Sequence, residues 1–347
     1  MIRFCCDLIK EAKGDSNRLW TAVNEASSRT FKSSSPHYII ADDAYYTSPR
    51  SIASALNSHF ASIGKTLADK IRPVAPVSMS VANHLAGSFQ LKETSEAVVL
   101  KHLQSLKTNK AIGLDNISAR LLNCGAQSIS HTITKLLNLS IRSGKFPGIW
   151  KCSQVSALFK SGDRTNASNY RPISILPTLS KILERVVHSQ LHKYFNSTNV
   201  LSDNQFGFRS KRSTATALSS FADEVLLNME KGHICGAVFL DLTKAFDTVD
   251  HGILMSKLSS VGVSPSALEW FISYLSNRKQ RTSCENELSE ALSVTSVFHK
   301  EASWVRCCFL YILATCLLLL NTPRFHCMLT IPSSTAFQKS HTSWRAS

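Results

Sequence analysis

The chain has 347 residues, 44% of them apolar, a fraction that excludes wholesale disorder, collagen-like repeats and low-complexity architecture. Lys and Arg number 39 against 24 Asp and Glu, a net charge of +15 drawn from only 18% charged residues. That excess points to an acidic partner, nucleic acid first, with an inert basic surface as the plain alternative.

Ten cysteines are present without a single CxxC, which removes the usual zinc and disulfide frameworks. They read as reduced thiols in an intracellular chain, nuclear or cytoplasmic. Met1–Lys13 mixes charge with apolar residues and does not resemble a secretory leader. The one membrane-like run, Cys307–Leu320, falls short of the ~20 apolar residues a spanning helix needs, so no membrane association is expected.

Taken in chain order, Leu8–Lys13, Trp20–Ala26 and Ser51–Ile71 carry apolar residues at helical spacing, and Arg72–Met79 reads as a linker. A helix through Val98, Val99, Leu103 and Leu106 follows the capping run Thr94-Ser95-Glu96. Ser118–Ile141 is predicted helical after the Gly113-Leu114-Asp115 turn, and Gln154–Phe159 a short strand closed by the turn Lys160–Asp163. Leu179, Ile182, Leu183, Val186, Val187, Leu191 and Tyr194 mark one face of an amphipathic helix, and another helix is predicted over Thr214–Met229. Ile234–Leu240 is a continuous apolar run, short enough for a buried strand, and it ends in Asp241. Helices are predicted at His251–Val261, capped by Asp250, and at Pro265–Leu275. Lys279–Cys284 and Leu292–Val297 are predicted to pair as a hairpin. Strands interleaved with helices imply an α/β or α+β layer fold.

A carboxylate at the end of a buried strand is costly unless it is paired or holds a metal. For Asp241 the two readings, a metal ligand and a helix cap, are evenly matched; Asp247 and Asp250 read as caps or surface groups.

The segment Val238-Phe239-Leu240-Asp241-Leu242-Thr243-Lys244-Ala245-Phe246-Asp247 resembles the first catalytic palm motif of reverse transcriptases of non-LTR (LINE-type) retrotransposons. Five further blocks resemble that family in order: Asn109–Asp115, Phe146–Lys151, Tyr170–Ser174 with Lys181–Glu184, Gln205–Arg209 with Arg212-Ser213-Thr214, and Ser273–Leu275 with Asn277, Arg278 and Gln280. The resemblance implies a right-hand polymerase fold with fingers and a partial palm over residues 94–297, behind a helical N-terminal spacer at 1–93. It implies an RNA template, a DNA primer and deoxynucleotides as partners, and Mg²⁺ as cofactor. Asp241 is then a catalytic metal ligand, with the Leu242 carbonyl as an auxiliary one. Lys160 and Arg171 neutralise the incoming triphosphate, Phe246 bars a ribose 2′-OH, and Arg209 and Arg212 contact the nucleic-acid backbone. For Lys160 a solvated turn, for Phe246 a core aromatic, and for the two arginines a solvated face stand as the alternatives.

Ile40-Ala41-Asp42-Asp43 imitates the second catalytic box of the family but precedes the first by about two hundred residues, so it reads as a surface turn. The true second box is missing. After Val297 the sequence resembles nothing in the family. Yet Val297-Phe298-His299-Lys300 can be encoded as GTG TTC CAC AAG, which is GGT GTT CCA CAA G with one G removed. In the restored frame Phe298–Leu310 permits Val-Pro-Gln-Gly-Ser-Ile-Leu-Gly-Pro-Leu-Leu-Phe-Leu, and His326–Pro332 permits Leu-Tyr-Ala-Asp-Asp-Thr. Residues 298–347 are therefore expected to be an out-of-frame tail without native structure. An RNA-directed DNA polymerase fragment without activity is the leading reading. A non-enzymatic nucleic-acid-binding remnant is the second, and a protein tethered to a membrane through Cys307–Leu320 is a weak third.

Overall fold

The computed structural model describes residues 36–41, 44–69, 88–198, 201, 205–207, 209, 211–237 and 249–294. The predicted helices at Leu8–Lys13 and Trp20–Ala26, the linker Arg72–Met79, residues Asp241, Leu242, Phe246 and Asp247, and the tail from 298 lie outside them. Helices and strands are mixed, as expected, and no described helix is long and apolar enough to cross a membrane. The chain divides into two compact units.

The first unit comprises residues 1–61, 154–175 and 280–292. Its first described element is a small hairpin, β1 (Ile39–Ala41) and β2 (Ala44–Tyr46), whose register pairs Ile39 with Tyr46 and Ala41 with Ala44. Helix α1 (Pro49–Ala68) follows, with proline at its first position and Ser48 and Ser51 exchanging side-chain-to-backbone hydrogen bonds at its start. Ile52, Ala53, Leu56 and Phe60, three and four apart, form its buried face. Strands β3 (Cys152–Phe159) and β4 (Tyr170–Ile175) are antiparallel, with Phe159 opposite Tyr170. β5 (Arg278–Cys284) turns through Glu285 and Asn286, both at positive φ, into β6 (Glu287–Leu288), the geometry of a two-residue hairpin loop. The sheet order is β4-β3-β5-β6, and β7 (Leu292–Val294) also pairs with β5, although the hairpin partner of β5 is β6, which the sequence reading does not place.

Strand β5 buries polar side chains. Arg278, Gln280, Thr282 and Cys284 alternate on its inner face. Asn57 of α1 satisfies two of them: its Oδ1 accepts from Gln280 Nε2 and Thr282 Oγ1, both at 3.1 Å. Its Nδ2 donates to the Glu290 carbonyl at 2.9 Å and the Gln280 carbonyl at 3.4 Å. A buried amide with every group engaged fixes register in a way that apolar contacts cannot.

The second unit comprises residues 62–153, 176–279 and 293–347. Its described helices are α2 (Glu96–Gln104), α3 (Ala119–Cys124), α4 (Ala126–Ser143), α5 (Thr178–Ser197), α6 (Thr214–Glu230), α7 (His251–Ser260) and α8 (Pro265–Leu275). Val99, Leu103, Leu137, Ile182, Leu183, Val187, Leu254, Leu258, Trp270 and Phe271 form its buried core. The predicted helix over Ser118–Ile141 is two helices. Gly125 is at once the last cap of α3 and the first of α4, with φ −87° and ψ 5°, and glycine is a poor residue with which to carry a helix onward. Ser95 caps α2 without a side-chain bond; Asn138 instead clasps the Thr94 backbone, accepting from its N–H at 2.8 Å and donating to its carbonyl at 3.0 Å. Helix α6 buries only Ala217 and leaves Leu218, Leu226, Leu227 and Met229 exposed.

One expectation is corrected. The buried strand predicted over Ile234–Leu240 does not form at its first four residues: 234–237 have no regular structure and are exposed, and Ile234 is fully solvated. A strand needs neighbours to pair its N–H and C=O groups, and 234–237 pair with none of the described strands. An apolar run specifies burial only where a surface exists to receive it.

Candidate nucleotide and nucleic-acid site

The β3–β4 hairpin positions the two predicted phosphate-binding cations. Leu158 lies opposite Arg171 in the ladder, and the Lys160 N–H continues it by donating to the Asn169 carbonyl at 2.8 Å. Residues two apart on a strand share a face, so Lys160 and Arg171 are diagonal neighbours on one face of this hairpin. Lys160 is exposed and Arg171 half-buried. Both are long cationic side chains on a rigid pair of strands, an arrangement suited to a phosphate anion.

The connecting loop is held in one shape by its own polar groups. Asp163 accepts from the Thr165 N–H at 2.9 Å and the Thr165 hydroxyl at 2.8 Å, and these bonds, the backbone one foremost, hold its carboxyl below the usual range. Asn169 Nδ2 donates to the Asp163 carbonyl, and Asn166 Oδ1 accepts from the N–H and hydroxyl of Ser168. Gly162 sits at φ +91°, where a Cβ would lie 2.9 Å from Asn169 Nδ2, so this turn requires glycine. The hairpin's other face carries Phe159 against Tyr170, ring centroids 5.4 Å apart, with the Arg164 guanidinium 4.6 Å from the Phe159 ring centre. The Tyr170 hydroxyl donates to the Arg164 carbonyl at 2.8 Å, and burial pushes its pKa up.

Arg209 and Arg212 precede α6 in the second unit. The Arg212 N–H donates to the Arg209 carbonyl at 3.4 Å, and its guanidinium lies 5.0 Å from the Phe206 ring centre. Ser213 and Thr216 form a reciprocal capping box immediately after, which fixes where the arginines leave the helix. Asp250 is the predicted cap of α7, its Oδ1 accepting from the Ile253 N–H at 2.8 Å. Asp241, Leu242 and Phe246 lie outside the described residues. Among the described residues no three His, Cys, Asp or Glu side chains cluster as a metal site.

Three of the sequence blocks converge on a place that sequence reasoning missed. In the second unit Phe146 and Trp150, Glu184, and Tyr274 and Arg278 meet in one buried cluster. The Glu184 carboxylate accepts from the Ser180 hydroxyl at 2.9 Å and the Tyr274 hydroxyl at 3.0 Å. Arg278 donates to the Tyr274 carbonyl at 2.8 Å, its guanidinium 4.3 Å from the Tyr274 ring centre and 5.7 Å from that of Phe146. Phe146 packs edge-on against Tyr274 at 4.7 Å, and its N–H donates to the Ser273 hydroxyl. Burial pushes the Glu184 pKa up, against the opposing pull of Arg278. These motif residues brace α5, α8 and the start of β5. The signal was present: Glu184 stands four residues after Ser180 and three before Val187 on the apolar side of α5.

Asn109–Asp115 also has a packing reason. A Cβ on Gly113 would lie 3.0 to 3.1 Å from backbone atoms of Leu176 and Pro177, so any side chain there would push two closely approaching backbones apart.

Residues 160–297 match the model of the family described as reverse transcriptase (RNA-dependent DNA polymerase). The chain is 30% identical over 214 residues to a probable RNA-directed DNA polymerase from transposon BS of Drosophila melanogaster, covering 60% of this chain and 23% of that protein. It is 31% identical over 210 residues to the RNA-directed DNA polymerase from mobile element jockey of Drosophila funebris, covering 58% and 22%. A Pol polyprotein from the type-1 retrotransposable element R2 of Popillia japonica is 28% identical over 143 residues. The matched residues span less than a quarter of the length of these relatives.

Proposed function

Residues 160–297 carry a reverse transcriptase domain of the LINE-type retrotransposon kind, and from that premise we propose that the chain is the fingers and an incomplete palm of a right-hand RNA-directed DNA polymerase that no longer polymerises. Residues 1–93 are its N-terminal spacer, 94–297 the fingers and partial palm, and 298–347 an out-of-frame tail. Its partners are an RNA template, a DNA primer and deoxynucleotides. The observation that carries the reading is the family match, which begins at Lys160 and stops at residue 297, where the palm motifs cease in the sequence.

Lys160 and Arg171 bind the triphosphate of the incoming nucleotide. The guanidinium supplies a fork of donors to two phosphate oxygens and the ammonium a compact charge beside it. Phe246 excludes a ribose 2′-OH, and Arg209 and Arg212 hold the nucleic-acid backbone. In an intact enzyme of this kind a pair of Mg²⁺ ions, held by convergent carboxylates, would supply positive charge to the reacting phosphate oxygens. Here Asp241 and the Leu242 carbonyl are the ligands the chain supplies, and Asp250 is committed to the α7 backbone. So few hard ligands do not hold Mg²⁺, which keeps its waters unless several converge in octahedral geometry. The residues present do not fit the pair of ions.

A nucleic-acid-binding remnant is the activity left. The cations Lys160 and Arg171 on one face of the β3–β4 hairpin, with Arg209 and Arg212 ahead of α6, support it. The test is binding by fluorescence anisotropy at several salt concentrations. Affinity for RNA should fall linearly in log-log form with salt. Arg171→Ala should weaken deoxynucleoside triphosphate binding more than duplex binding. Salt-independent binding, or equal losses for both ligands, would contradict the assignment.

A further inference from the structure

Hairpin β1–β2 lies outside every block that resembles the polymerase family and outside the family match. It is built onto the loop between β3 and β4: the Ile40 N–H donates to the Thr165 carbonyl at 2.9 Å, and Ile40 forms a parallel bridge with Asn166. Its two faces differ. Ile39 is fully buried, so that face is the anchor. Ile40 is paired with Tyr45, and Tyr38, two residues before Ile40, completes the opposite face. These three are 39%, 71% and 39% exposed for Ile40, Tyr45 and Tyr38. The Tyr38 and Tyr45 rings stand 6.0 Å apart at 37°, too tilted to stack on one another, so Tyr45 keeps an open ring face.

An exposed aromatic pair is expensive to leave in water, and among the described residues Tyr45 remains 71% exposed. The loop that anchors it carries Lys160 and Arg164, with Arg171 at the head of β4, while Asp163 is consumed by Thr165. Aromatic rings on a hairpin hydrogen-bonded to a cation-bearing loop, with Lys160 and Arg171 on one face and Arg164 over Phe159 on the other, offer the two components of single-strand recognition, rings that stack on bases and cations that meet phosphates. We propose that Tyr38 and Tyr45 form a stacking surface for the unpaired bases of a nucleic-acid strand, in continuity with the basic β3–β4 loop. The inference rests on the reading of the chain as a nucleic-acid-binding polymerase remnant, and it gives the otherwise unassigned N-terminal hairpin a part in holding single strand.

The test uses the full chain with a fluorescein-labelled single-stranded RNA oligonucleotide and a blunt duplex of the same sequence, by anisotropy across a salt series. Tyr45→Ala should weaken single-strand binding by about tenfold, the size of one lost base stack, and Tyr38→Ala should weaken it to a lesser degree. Tyr45→Phe should bind like the parent, because stacking needs the ring and not the hydroxyl, whereas Tyr45→Leu should behave like Tyr45→Ala. Duplex binding and the salt slope should be unchanged in all four, since no phosphate contact is removed. Tyr45 is exposed, so these variants should fold; equal thermal midpoints check this. Unchanged single-strand affinity in Tyr45→Ala with normal binding by the parent overturns this inference alone. A loss shared equally by duplex, or rescue by leucine as good as by phenylalanine, also overturns it and indicates a protein partner or a second copy of the chain on that face. Failure of the parent to bind RNA at all overturns the inference together with the reading on which it rests.

Discussion

The Tyr274 hydroxyl donates to the buried Glu184 carboxylate at 3.0 Å, joining two sequence blocks ninety residues apart through one hydrogen bond. Because burial raises the Glu184 pKa, the folded protein holds a proton that the unfolded chain has already released. Stability from this group is therefore fully present below the ordinary glutamate range and is lost as pH rises toward the raised folded value. Glu184→Gln keeps a hydrogen-bond acceptor and removes the titration. It should match the parent near pH 4 and exceed it in stability at neutral pH, with Tyr274→Phe destabilising by about 1–3 kcal/mol. Denaturant melts of both across pH check this, and a parent that gains on Glu184→Gln as pH rises contradicts it.

Asn57 is the polar pin of the first unit, serving Gln280, Thr282 and Glu290 at once. Asn57→Ala should cost roughly 2 kcal/mol or more, because it leaves buried donors and acceptors unpaired. Asn57→Asp should be worse at neutral pH than at acid pH, since it replaces two donors with a buried charge. Thermal melts at two pH values separate these outcomes from a merely local effect.

Gly113→Ala places a methyl group 3.0 Å from the Pro177 nitrogen, a backbone atom that cannot swing aside. The expected loss is about 1–3 kcal/mol of stability. A neutral result would show that the two segments can separate at no cost.

Much of the helical framework was legible before the structure. α5 follows its apolar stripe, α8 is found at its predicted bounds, and Asp250 caps α7 as its position suggested. The split at Gly125 was less visible, because the apolar periodicity runs through a residue whose cost lies in the backbone. β5 was found despite its polar inner face, but nothing in Arg-Lys-Gln-Arg-Thr-Ser-Cys announces that its alternate residues are buried; that depends on Asn57, more than two hundred residues away. Residues 234–237 differ from the predicted strand for the opposite reason: local apolarity does not reveal whether a partner strand is within reach, and they pair with none of the described strands. At the candidate site the cations Lys160 and Arg171 were named from sequence, while their common face needed the β3–β4 register. The Glu184–Tyr274–Arg278 brace was hidden because the blocks invited a functional reading of residues that also hold the fold together.

Primer extension on an RNA template, with Mg²⁺ and deoxynucleotides, decides whether this chain polymerises. It compares this chain with one repaired by a single base at the codon before Phe298, and with the repaired chain carrying Asp241→Ala. The expected result is no extension by the chain as written, extension after repair, and loss of that extension in Asp241→Ala. Extension by the unrepaired chain that disappears in its own Asp241→Ala variant would contradict it.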